Sequence, residues 1–407
     1  MLLLPTLVVL LIGLVAVSGQ TNSSRLPKDR KKLNTAIPAA KVQSGQLSKQ
    51  VEKIYNEPSE PLMNDECPCN PFNIWLDVFF LIDSSSAMTS DGFDCATAFV
   101  ESVLYRMNVG QAFGQQTRVG IITYGANAKL HYNLSYWQSS NDLLNSMNLP
   151  FHDSRGTNIE EGIRLATANF NPPQHRPNAK KVIVIIASAF EPGNYNDPSI
   201  AAATFKEDGG IIITVEYVQV HGAPVLMLDS LATPGFELTN RHGEVSVSKL
   251  HQLFCKANCF CPAHYMPFRF KDNLPYGGCY RRSTLPAIRG LAQHTCRRHY
   301  NGSLAIVESK KKAKFLQKMV PARTSFWIGL AYKDQSYRWT NGIPIQDDDF
   351  KMWAPNYPDS QQGDCVKMEK GDTEDAGLWY NDYCGVDLLY VCQIVSCSTE
   401  HYCPVIR

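Results

Sequence analysis

The chain has 407 residues, with 39 Lys and Arg against 38 Asp and Glu and a formal net charge of +1. That balance excludes nucleic acid or an anionic membrane as the main partner, because both call for a marked basic excess. Length alone implies two or three domains of about 100–200 residues each, and no internal repeat is visible.

Residues 2–17 are almost wholly apolar and uncharged, and Val17-Ser18-Gly19 then supplies the small residues a signal peptidase needs. The run is shorter than the roughly 18–20 residues of a spanning helix, so residues 1–19 read as a cleaved secretory signal. They lack Lys or Arg at the start, which leaves the free amino group as the only positive charge there. No later stretch is long and apolar enough to span a membrane. The expectation is a secreted, extracellular protein whose 13 cysteines form disulfides in an oxidising compartment. Sequons at Asn22, Asn133 and Asn301 fit a glycosylated product.

Residues 20–66 are polar, carry Pro27, Pro38, Pro58 and Pro61, and show no sustained period. Such a segment buries too little apolar surface to offset its ordering entropy, and it reads as a disordered linker. Its basic cluster, Lys28, Arg30, Lys31 and Lys32, reads as a solvated charge run.

From residue 72 the pattern changes. Residues 74–82 form a near-continuous apolar run, as in a strand buried on both faces. Residues 118–124, 181–186 and 210–215 give three more strands, with helical periods between them at 95–104, 158–168 and 199–205. Strands alternating with helices predict a parallel, doubly wound α/β sheet of Rossmann-like type, with ligands beyond the carboxyl ends of the strands. There the first strand ends in Asp83-Ser84-Ser85-Ser86-Ala87, and a later loop reads Arg155-Gly156-Thr157-Asn158.

These motifs resemble the von Willebrand factor A domain over about residues 72–256, within a domain assigned to 67–259. The resemblance implies a divalent cation held by Asp-x-Ser-x-Ser, a distant Thr and a distant Asp. Asp83, Ser85 and Thr157 match that set. Ala87 offers no oxygen at the third motif position, and Ser188 stands where the family has its second Asp. Mg²⁺ wants about six oxygens, so the expectation is a degenerate site without Mg²⁺, in which Asp83 hydrogen-bonds its own loop. The domain then acts as a scaffold or a protein-binding module.

Cys67 and Cys69 precede this domain, and Cys255 and Cys259 follow it. Disulfides across its base are expected rather than zinc, with the pairing among the four left open. Cys95 is expected as a buried thiol on an apolar helix face.

Residues 260–395 carry the most specific pattern. Gly278-Cys279-Tyr280, a helical stretch holding Cys296, Phe326-Trp327-Ile328-Gly329-Leu330, Trp339, Trp353-Ala354-Pro355, Asp364-Cys365, Trp379-Tyr380-Asn381-Asp382 and Tyr390-Val391-Cys392 follow in order. This segment is similar to the C-type lectin domain, an α+β, disulfide-bonded fold. The four tryptophans read as core rather than as sugar platforms. The resemblance implies the pairs Cys261–Cys279, Cys296–Cys392 and Cys365–Cys384. Cys397 and Cys403 then pair in a C-terminal tail at 396–407.

In sugar-binding members a Glu-Pro-Asn or Gln-Pro-Asp triplet, an acid before the loop cysteine and Trp-Asn-Asp hold Ca²⁺, and vicinal hydroxyls complete its coordination. Here the triplet is Tyr357-Pro358-Asp359, the acid position is Gly363, and Tyr380 is either inserted before Asn381 and Asp382 or displaces those ligands by one. Asp359, Asn381 and Asp382 are the candidate calcium and sugar ligands, and Pro358 is expected to be cis. Asp347-Asp348-Asp349 and the acidic loop at 369–375 read as solvated loops rather than a structural calcium site.

The whole resembles nematode-type secreted lectins that join the two domains. The resemblance implies recognition or adhesion through extracellular glycans or glycoproteins, with an innate immune role in view. The alternative is a metal-independent matrix protein–protein interaction module with no sugar binding. No enzyme is expected, since neither His-Glu-x-x-His nor Gly-x-Ser-x-Gly occurs.

Overall fold

The computed structural model describes residues 67–404, apart from 189–194, 196, 219–224, 226, 242–244, 272–273 and 371–376. The expected secretory signal, the expected linker with its basic cluster, and Asn22 lie outside the described residues.

In the first domain six strands, β1 (Asp77–Asp83), β2 (Arg118–Tyr124), β3 (Ala128–Tyr132), β4 (Lys181–Ala187), β5 (Ile211–Glu216) and β6 (Glu237–Thr239), lie in the order β3-β2-β1-β4-β5-β6. Central strand β1 is buried at every position because it feeds two cores. Val78, Phe80 and Ile82 pack against helix α1 (Ser90–Leu104), while Phe79 and Leu81 pack on the opposite face. Helix α2 (Ser140–Ser146) adds Leu143 to the first core. On the opposite face lie α3 (Ile159–Asn169), α4 (Pro198–Glu207) and α5 (Met227–Leu231). Helix α6 (Val247–Ala257) closes the first core with Leu250 and Phe254. That alternation is why the strand reads as an unbroken apolar run.

The sheet is parallel except at one edge, where β3 runs antiparallel to β2. Only residues 125–127 join them, and a parallel crossover needs a dozen or more residues. Cys95 departs from expectation: it is an exposed free thiol. Helix α1 begins at Ser90, and its buried stripe runs through Phe93, Ala96, Val100 and Val103, which leaves position 95 off the stripe.

His251 on α6 is buried and donates its Nε2–H to the carbonyl of Val103, 2.9 Å away, so α6 is tied to α1. Burial lowers its pKa to about 4, only partly opposed by that hydrogen bond. The unfolded chain takes up this proton near pH 6.5, whereas the folded chain resists it down to about 4. Stability is therefore full above pH ~6.5 and falls as the pH drops towards 4. The loss is about 2–3 kcal/mol from this group. Thermal midpoints across that range check the slope, and His251→Gln is expected to flatten it.

The second domain holds β7 (Met266–Lys271), β8 (Leu274–Arg282), helix α7 (Arg289–Arg298), β9 (Ser303–Leu304), helix α8 (Lys310–Met319), β10 (Ser325–Lys333), β11 (Ser336–Trp339), β12 (Cys365–Glu369), β13 (Trp379–Asp382) and β14 (Leu389–Ile394). Its strands run β13-β12-β10-β14-β8-β7, with β11 on β10 and β9 on β14. Trp327 and Trp379 are fully buried, Trp339 nearly so, and Trp353 packs edge-on to Trp379 at 5.7 Å. The tryptophans are core.

Six disulfides tie the chain. Cys261–Cys279, Cys296–Cys392 and Cys365–Cys384 lie in the second domain, and Cys397–Cys403 closes a small terminal loop. At the base of the first domain the pairs are Cys67–Cys259 and Cys69–Cys255, which the sequence left open. The terminal loop is no loose tail. Ser398 accepts from the Trp75 indole at 2.9 Å, and Tyr402 packs edge-on to Trp75 at 4.8 Å. Asn178 donates to Cys403 at 2.8 Å, and residues 260 and 397 form an antiparallel bridge. The last described residues thus clasp the start of the first sheet.

Candidate functional site

At the carboxyl end of β1 Asp83, Ser85 and Ser188 form one buried cluster, and Thr157 is buried as well. Asp83 Oδ1 accepts from the Ser85 amide at 2.9 Å. Its Oδ2 accepts from the Ser188 amide at 3.1 Å and the Ser188 hydroxyl at 2.7 Å. Both carboxylate oxygens are therefore engaged inside the protein. Ser84 holds the neighbouring loop by accepting from the His152 amide at 2.8 Å, and the Ser85 hydroxyl is buried without a hydrogen-bond partner. Burial, and then the charge of Asp83, push the Tyr124 phenol well above its ordinary pKa.

In the second domain Asp359 and Asn381 come together, but Asp382 faces elsewhere. Asp359 caps a short 3-10 turn (Ser360–Gln362), with Oδ1 accepting from the Gln361 amide at 3.0 Å. Asn381 is buried. Its Oδ1 accepts from the Asp359 amide at 3.0 Å, while its Nδ2 donates to Tyr337 and to the Gly363 carbonyl, both at 2.9 Å. The side chain thus staples the loop to β13. Gly363 has φ 114°, and a Cβ there would lie 2.4 Å from the Asp382 carbonyl oxygen, so no acidic side chain fits.

Strand alternation turns Tyr380 and Asp382 to the face opposite Trp379 and Asn381. Across from Tyr380 in the antiparallel register stands Lys367. Its ammonium lies 3.0 Å from Asp382 Oδ2, 3.3 Å from Glu369 Oε1 and 6.0 Å from the Tyr380 ring centre. Burial alone would lower the Lys367 pKa, but the hydrogen bond and charge of Asp382, with Glu369, raise it. Tyr357 packs edge-on to Tyr380 at 5.0 Å, next to the cis Tyr357–Pro358 bond. The result is a surface of two tyrosines flanking a lysine–acid cluster. Its signal was present in the alternation Lys-x-Glu on β12 and Tyr-x-Asp on β13, but only the register joins them.

Residues 77–242 match the von Willebrand factor type A domain family, and residues 290–394 match the C-type lectin domain family. The chain joins a von Willebrand factor A domain to a C-type lectin domain. It is similar to C-type lectin domain-containing protein 160 of Caenorhabditis elegans, with 25% identity over 361 residues and 83% of this chain. The match spans 56% of that relative's length. The lectin half is 31% identical over 132 residues to asialoglycoprotein receptor 2 of Rattus norvegicus, covering 30% of this chain and 38% of the receptor. The A domain is 23% identical over 157 residues to the collagen alpha-6(VI) chain of Mus musculus, covering 38% of this chain and 6% of that one. Both families are in general non-catalytic recognition and adhesion domains.

Domains of these families commonly bind metal, Ca²⁺ in lectin domains. Neither set of residues here fits a cation. In the A domain the one carboxylate already accepts three hydrogen bonds, and Ser188 meets Asp83 as a donor where a second aspartate would be a ligand. Ca²⁺ takes six to eight oxygens. In the lectin domain Asn381 is spent on the loop, Asp382 on Lys367, and the positions of Tyr357 and Gly363 carry no carboxylate. Among the described residues no group of three or more His, Cys, Asp or Glu is placed to hold a metal ion. Asp347, Asp348 and Asp349 are exposed, with Asp347 near Lys351, and most of the second acidic loop, 371–375, lies outside the described residues. Asn301 is exposed in a turn and Asn133 partly so. No described helix is long and apolar enough to cross a membrane, and six disulfides fit an oxidising, extracellular setting.

Proposed function

We propose that the protein is a secreted recognition or adhesion protein. It binds extracellular glycans or glycoproteins through the lectin-domain loop without a bound calcium ion, and the A domain serves as a metal-independent scaffold or protein-binding module. The observation that carries this reading is Tyr357 at a ligand position and the added Tyr380, whose rings meet at 5.0 Å beside Lys367. Aromatic faces take the apolar side of a sugar ring, and the Lys367, Asp382 and Glu369 groups supply hydrogen bonds to its hydroxyls. Asp359 and Asn381 act here by holding the loop in shape, and Asp83 does the same for the A-domain loop.

The test is a glycan array probed with the full chain in calcium and again in chelator. Bound glycans are expected to persist in chelator and to weaken at least tenfold in Tyr380→Ala. Hits confined to calcium and lost in Asp359→Ala would restore a calcium site. Silence on the array, with recovery of matrix proteins in a pull-down, would favour a protein–protein interaction module instead.

A further inference from the structure

A cavity of about 570 Å³ lies where the A domain meets the lectin domain, far in sequence from the binding loop. The segment before β4, the crossing segment 260–265, Arg281 on β8 and the turn after α7 line it. Three cations line this groove; Lys181 pairs with a carboxylate, and aromatic faces hold the other two. The Lys180 ammonium lies 5.1 Å over the Phe260 ring, and the Arg281 guanidinium 5.8 Å over the Tyr265 ring. The one carboxylate lining the cavity, Asp208, is largely exposed and already paired with Lys181.

Two polar groups in the same wall lack partners. Tyr265 is only 6% exposed, yet its hydroxyl makes no hydrogen bond, and the buried Nδ1 of His299 makes none. An unmet buried donor or acceptor is destabilising, and both side chains line the cavity. Burial also lowers the Lys180 pKa, and burial, then Arg281 and Arg298, lower that of His299. The groove is thus desolvated and electropositive, with apolar ring faces and directional polar groups side by side. A peptide would need its backbone N–H and C=O groups met along an extended edge. One or two hexose rings suit the volume, the aromatic walls and the cationic lining together.

We infer that this groove binds an acidic saccharide unit, with its sulfate or carboxylate at Lys180 and Arg281 and a ring face against Phe260 and Tyr265. The site stands apart from the lectin-domain loop, so it holds or fails independently of the calcium-free reading of that loop. Because both domains line it, occupancy also fastens them to each other.

The test is calorimetric titration of the full chain with a heparin-derived sulfated disaccharide, its desulfated counterpart and inorganic sulfate. The sulfated disaccharide is expected to bind at least tenfold more tightly than either control. Lys180→Gln and Arg281→Gln are each expected to weaken it at least tenfold at an unchanged thermal midpoint, while Lys318→Gln on the exposed face of α8 leaves it unaltered. Equal binding of the desulfated sugar, equal binding of free sulfate, or binding indifferent to both substitutions would each overturn the assignment. If either glutamine variant fails to fold, protection of the Lys180 and Arg281 side chains from chemical modification by the sulfated disaccharide replaces it, and the absence of protection refutes the site.

Discussion

Removing both base disulfides is expected to cost the A domain about 7 kcal/mol, whereas removing either one alone costs only about 2 kcal/mol. The reason is nesting. Cys67–Cys259 closes a sequence separation of 192 and Cys69–Cys255 one of 186. In the chain-entropy model the first such bridge is worth about 5 kcal/mol. Once either is closed, the other closes only the short ring formed by residues 67–69 and 255–259, worth about 2 kcal/mol. The second cysteine pair therefore insures the first. Urea unfolding of Cys67→Ala with Cys259→Ala, Cys69→Ala with Cys255→Ala, and all four together checks it. Two equal and additive losses would show that the bridges constrain the unfolded chain independently. A domain with an ordinary margin of 5–15 kcal/mol would be largely unfolded without both.

The second large effect lies at the start of β1. Asp77 is fully buried, and its carboxylate accepts from the Arg176 amide at 2.7 Å, the Arg176 guanidinium at 2.6 and 2.9 Å, and the His175 ring at 2.8 Å. Arg176 also donates to the carbonyls of Leu76 and Gln116 at 2.9 and 2.8 Å. This knot pins the loop before β4 against the central strand. Asp77→Ala leaves a guanidinium with 7% exposure and no counter-charge, and the expected loss is about 3–5 kcal/mol. Arg176→Met, which strands the carboxylate, is expected to lose as much. The double variant Asp77→Leu with Arg176→Met is expected to recover most of it, because a buried pair repays its desolvation only narrowly. Thermal unfolding of the three variants decides this, and a double variant as unstable as the sum would refute it.

Much of this architecture was legible in the chain itself. The unbroken apolar run of β1 announces burial on both faces, and the spacing of Cys296, Trp327, Cys365, Trp379 and Cys392 announces the lectin domain. Such signals survive because they rest on local period and on residues whose burial is nearly obligatory. The antiparallel edge strand β3 was not legible in its direction, since the short alternation Ala128, Leu130, Tyr132 says strand at most and only the length of the turn sets which way it runs. Cys95 was misplaced because Phe99, one turn away, is only partly buried: the stripe runs through Phe93, Ala96, Val100 and Val103 and passes position 95 by.

The candidate site divides along the same line. Sequence alone determined which metal-ligand positions are altered, because a missing oxygen at Ala87, Ser188, Tyr357 or Gly363 is a matter of side-chain chemistry. Tertiary structure decided what the altered residues do instead. Ser188 becomes a hydrogen-bond donor to Asp83 across 105 residues, and Lys367 reaches Asp382 across a strand pair. The partners of the four base cysteines, the clasp of the terminal loop on Trp75 and the cationic groove between the domains are likewise products of long-range packing. Each depends on distances between residues far apart in the chain, and no local pattern of residue types carries that information.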